Sequence, residues 1–150
     1  MRADSLCSRT AIVAVVLLGL AGCGATDTGE IVPTVPASGT VTFNGKPLEY
    51  HQITLFPGDS QRPAAGVSDS DGKFVLGTNQ PGDGAIQGTH TVSITYVGPP
   101  NTDPGAGMME FPAPPPPKVK IPEKYRDPQR SGITVEVPAG GLSDWQLDLK

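Results

Sequence analysis

Three groups of residues have types and spacing that could do chemistry. Asp69-Ser70-Asp71-Gly72 contains the Asp-x-Asp-Gly core of a calcium-binding loop. A complete loop needs further oxygen ligands and a late bidentate glutamate. Here Lys73 and Phe74 follow at once, so the segment is expected to be a turn whose Asp side chains bond the local backbone. His51 and His90 are the only histidines. A zinc-type site would need both, with carboxylates. They fall in separate stretches of chain, and the expectation is one exposed and one half-buried imidazole. Hydrolysis needs a nucleophile, a base and an orienting group. Serine, histidine and aspartate all occur, but no G-x-S-x-G frames a serine. No catalytic set, metal site or cofactor is therefore expected.

The two cysteines belong to a different chemistry. Arg2 and Arg9 precede Ala11 to Leu20, an uncharged apolar run of ten residues. That is signal-peptide length and far short of the ~20 residues that span a bilayer. Leu20-Ala21-Gly22-Cys23 follows and resembles the lipobox of bacterial lipoproteins. The resemblance implies cleavage between Gly22 and Cys23, diacylglycerol on the Cys23 sulfur and acylation of the new amine with palmitate or a similar chain. Cys7 would leave with residues 1–22, and the mature chain would hold no free thiol. Several acyl chains at ~0.8 kcal/mol per buried methylene give durable anchoring where one would not. Gly24 follows the cysteine, not the aspartate that favours inner-membrane retention in some bacteria. The outer membrane or the periplasmic face is the expected location.

Charge narrows the partners. The chain has 11 basic and 15 acidic side chains. Losing residues 1–22 removes Arg2, Arg9 and Asp4 and leaves 9 against 14, a net charge of −5. That disfavours nucleic acid, which needs a basic footprint. It also offers no basic patch to anionic lipid. The expected membrane contact is the lipid alone.

The elements that must position everything else read as strands. Gly 19 and Pro 17 argue against long helices. Residues 23–37 form the lipidated cysteine and a small, polar, Pro-containing tether with a reach of about 20 Å. From Ser38 the period becomes two. Thr40 to Phe43 alternates, and Asn44-Gly45 is a strong hairpin-turn signal. His51 to Phe56 sets Ile53 and Leu55 against Gln52 and Thr54. Ala64 to Ser68 and Lys73 to Leu76 are shorter extended runs. Thr89 to Tyr96 puts His90, Val92, Ile94 and Tyr96 on one face. Ile133, Val135 and Val137 alternate with polar residues, as do Trp145, Leu147 and Leu149. One buried and one solvated face per strand is the signature of antiparallel sheets. About seven strands over residues 38–150 predict an all-β, single-domain antiparallel sandwich. Trp145 is expected in its core.

Residues 97–121 break the pattern. They hold eight prolines, including Pro114, Pro115, Pro116 and Pro117, and cannot form a central strand. They are expected to make a long exposed loop with polyproline II character. Pro114 to Pro117, with Lys118 and Lys120, are the candidate partner-binding residues. Lys124, Arg126 and Arg130 extend this basic stretch and are expected to be solvated.

Several stretches then align with one family. Ser38 to Leu48 (SGTVTFNGKPL), Ile53 to Pro57, Ser68 to Phe74 (SDSDGKF) and Gly88 to Val92 resemble the carboxypeptidase regulatory-like, transthyretin-like β-sandwich. Pro122 to Val137 (PEKYRDPQRSGITVEV) is similar to a stretch of the small planctomycete lipoproteins that carry this domain. The resemblance covers nearly the whole chain and implies the fold, but no activity. His90 stands where the family has an aromatic, and the insertion at 97–121 is long. Tyr125-Arg126 with Ser131 is similar in type to the Tyr-Arg-Gly-Ser tail of hydroxyisourate hydrolases, but here it is interrupted and internal.

The expectation is a non-enzymatic lipoprotein of the bacterial envelope that binds or supports another envelope component, a protein or a glycan. The alternatives are a carbohydrate-binding module, which would stack sugars on Tyr50, Tyr96 or Tyr125, and a cryptic hydrolase. The anchor is directly testable. Cells fed radioactive palmitate should label the wild-type protein in membranes, and Cys23→Ser should be unlabelled and released. Membrane retention of the unlabelled variant would remove the anchor.

Overall fold

The computed structural model describes residues 31–58, 61–100 and 113–150. The expected signal segment, the Gly22–Cys23 cleavage point and the lipidation site at Cys23 lie outside them, as does part of the Pro-rich segment.

Strand β1 (Ala37–Phe43) is the hub of the first sheet. Its small and β-branched residues alternate, with Ala37, Gly39 and Val41 buried. β8 (Leu142–Leu149) runs parallel to it, from Ala37 opposite Leu142 to Phe43 opposite Leu149. A strand has two edges, so the other edge must serve both β2 (Lys46–Pro47) and β5 (Lys73–Val75), each antiparallel to β1. Gly39 permits the parallel pair. A Cβ there would collide with the Trp145 carbonyl oxygen, so any larger residue would push β8 away. Asn44 and Gly45 link β1 to β2 with φ of 49° and 76°. Two positive φ values make the primed turn whose twist suits a hairpin, as the Asn-Gly pair predicts.

The second sheet has the order β4-β3-β6-β7, formed by β3 (His51–Pro57), β4 (Ala64–Val67), β6 (Gly88–Tyr96) and β7 (Thr134–Val137). All its pairings are antiparallel. Val41, Phe74, Leu147 and Leu149 from the first sheet join Ile53, Leu55, Val92, Ile94, Val135 and Val137 from the second in one buried cluster. The fold is all-β. A short 3-10 helix at Glu123–Arg126 is the one helical element among the described residues.

Three expectations need correction. Both histidines are buried, each 1% exposed, because each lies on the core-facing side of its strand. The stretch expected to be tether as far as Ala37 is docked from Val32. Val35 exchanges backbone hydrogen bonds with Ala85, and Asn79 bonds both the N–H and the C=O of Val32. Asp83 supports this dock. Burial pushes its carboxyl up, but hydrogen bonds from Thr78, Asn79 and Gln80 outweigh that and lower its pKa. Finally, the end of the Pro-rich segment is not fully exposed. Val119 and Ile121 pack against the core.

Trp145 is half-buried and meets the Phe74 ring edge-on, centroids 5.9 Å apart. Asp69 behaves as a turn residue: its Oδ1 accepts from the N–H groups of Asp71 and Lys73.

Ser68 ties the end of β4 to the corner before β3. Its Oγ accepts from the His51 N–H at 2.9 Å and donates to the Leu48 carbonyl at 2.6 Å. Its own backbone bonds Tyr50 and His51. Ser68→Ala strands a buried donor and acceptor and should destabilise the fold by about 2 kcal/mol. Exposed Ser70→Ala should change little. Urea unfolding of both variants checks the difference, and equal midpoints would refute it.

Candidate binding site beneath the Pro-rich strap

His51 and Tyr96 face each other across β3 and β6. They sit on the same side as Ile53 and Ile94, at the end of the shared core. The corner before β3 places His51 there: Tyr50 has φ of 56°, and Ser68 holds the turn. The two rings are tilted, with centroids 5.2 Å apart.

Residues 114–126 close this end of the core as a strap. Tyr96 Oη donates to the Pro115 carbonyl at 2.8 Å. Lys118 Nζ pairs with the Glu49 carboxylate at 2.9 Å. That bond raises the Lys118 pKa. Val119 and Ile121 pack inward, and Tyr125 is buried with its hydroxyl on the Lys150 carbonyl. Pro114, Pro115 and Pro116 remain exposed and Pro117 is half-buried. Of the candidate partner-binding residues, these three exposed prolines are presented outward, Lys120 is exposed at the rim of a cavity, and Lys118 is engaged with Glu49.

A cavity of about 350 Å³ lies under the strap, and a smaller one of about 220 Å³ adjoins His51 beside Glu49 and Lys118. His51 lines both. Its Nδ1 donates to the Glu49 carbonyl at 2.7 Å, and its Nε2 is buried with no partner. Burial lowers the His51 pKa, partly offset by the Glu49 hydrogen bond. The ring is neutral near pH 7, and the lone pair on buried Nε2 is unpaired.

The structure keeps the other candidate groups apart. His90 pairs with Pro57 at the far end of the same strands, six residues from Tyr96 and roughly 20 Å away. The two imidazoles cannot share a metal. Ser131 Oγ bonds the backbone of Pro128 and Ile133. Among the described residues no serine hydroxyl bonds a histidine ring. Tyr50 and Tyr96 are half-buried and Tyr125 is buried, so none of the tyrosines expected to stack a sugar is exposed. Sequence reasoning misses the His51 cleft. Its one signal is the alternation that puts His51 in phase with Ile53 and Leu55.

A pH effect follows. Below the ordinary histidine pKa of 6.5 the unfolded chain binds a proton that the folded chain resists, so stability falls as pH falls. The urea midpoint should drop from about pH 7 to about pH 5. His51→Phe should show a shallower drop, and identical pH slopes would refute this.

Comparison with family models, curated proteins and solved structures returns no match.

Proposed function

We propose that this chain is a non-enzymatic, membrane-anchored lipoprotein of the bacterial envelope that presents its Pro-rich strap to a partner. The sheet orders, with β1 between β8 and β5 and with β4-β3-β6-β7 opposite, support a transthyretin-like, carboxypeptidase regulatory-like sandwich. The lipobox at Leu20 to Cys23 supports the anchor.

One observation carries the reading: the two ends of the domain differ. The N-terminal segment docks where Val35 bridges Ala85, next to Ile86, whose carbonyl bonds His90. The strap closes the opposite end, beside His51 and Tyr96. A domain held to lipid through its N-terminus therefore carries the strap on the end away from the attachment. The exposed prolines are also held in place by Tyr96 and Lys118, and a preorganised segment loses less entropy on binding.

A photo-crosslinking residue in place of Pro116 should give a discrete adduct in intact cells. The same residue at exposed Asp71, in the β4–β5 turn, should give none. Replacing Pro114 to Pro117 with Gly and Ser, the crosslinker moved to Ala113, should abolish the adduct. No adduct at Pro116, or equal adducts at Pro116 and Asp71, would overturn the proposal.

A further inference from the structure

We propose that the cleft beneath the strap binds a small carboxylate that also carries a hydroxyl or amide N–H. The argument starts from His51. A buried ring nitrogen without a partner is destabilising, because it has given up water for nothing; His51 Nε2 and His90 Nδ1 are both such nitrogens, and of the two rings His51 is the one that lines this cavity. The Glu49 carbonyl can only accept, so Nδ1 carries the ring proton and Nε2 can only accept in turn. What Nε2 lacks is a donor, an O–H or N–H from outside the chain.

The surroundings define the rest of the ligand. The cavity of about 350 Å³ falls within the size range of small-molecule sites. Val119 and Ile121 give it an apolar wall, and Tyr96 lies beside His51. Lys120 and Arg126 line it as exposed cations, against one carboxylate, Glu123. Glu123 lies 3.9 Å from Arg126, a loose pairing between exposed groups. The lining is thus net positive in an acidic protein. A carboxylate would meet the cations; because Nε2 is itself buried, the ligand's donor reaches it as the outer strap shifts. The chemistry is that of a sugar acid or of an N-acylated amino acid. Either would lie under the strap and leave the outer prolines free, so this site does not depend on the partner reading.

The test is a titration of the full-length protein in detergent, followed by nitrogen NMR of the histidine rings. The probes are glucuronate and N-acetylalanine, with glucose as the neutral control. The His51 Nε2 signal should move saturably toward the hydrogen-bonded range with at least one carboxylate, and the one that acts identifies the source. Lys120→Gln and Arg126→Gln, both at exposed positions, should each weaken binding about tenfold. A signal unmoved by millimolar carboxylate would overturn the proposal. An equal response to glucose, or undiminished binding by both variants, would also overturn it.

Discussion

The structure depends on β1 having both edges occupied. Its parallel partner β8 lies at the opposite end of the sequence, and its other edge takes β2 and then β5. Pairing the first and last strands closes the longest loop in the domain, an entropic cost that grows slowly with length. In exchange, two free edges are removed from the centre of the sheet, and edges are where strands mispair. Gly39 is the local condition for this arrangement, since the Trp145 carbonyl occupies the space of its missing Cβ.

From that hub the chain crosses to the second sheet through two corners, and Ser68 connects them. One side chain and its backbone satisfy polar groups of Leu48, Tyr50 and His51. The corner has no regular ladder, so a small hydroxyl with both donor and acceptor capacity takes the place of a strand neighbour. It fixes His51 at the end of the core, and the strap then covers it. The site lies where the strap closes one end of the two sheets.

Much of the fold is legible in the sequence because strand alternation is a direct image of burial. Ile53, Leu55, Val92, Ile94, Val135 and Val137 read as one set of inward positions, and all are buried. Asn44-Gly45 reads as a turn because its geometry requires positive φ at both residues. The site is far less legible. Prolines mask the period of the strap, so Val119 and Ile121 do not read as inward-facing. His51 and His90 are in phase with apolar neighbours, yet a polar residue type argues for exposure. The backbone carbonyls of Glu49, two residues before His51, and Ile86, four before His90, make the burial of these rings tolerable, but main-chain acceptors leave no mark in the pattern of side chains. The docking of Val32 rests on Asn79, 47 positions away, which no local pattern could signal.

The same strands that separate the two histidines also separate two mechanical regimes. At the His90 end, Asn79, Asp83 and Ala85 hold the incoming N-terminal segment with backbone and amide hydrogen bonds. Asp83 orients Asn79, which bonds both backbone groups of Val32, so these bonds reinforce one another. At the His51 end, buried Tyr125 pins the inner end of the strap, while its outer part relies on the Tyr96 hydroxyl, the Lys118–Glu49 ion pair and two half-buried aliphatics. Exposed ion pairs contribute little, because water screens the charges and two long side chains must be ordered to form them. The outer strap, ahead of Tyr125, is therefore held by few strong contacts, and it lies over the cavity that His51 lines.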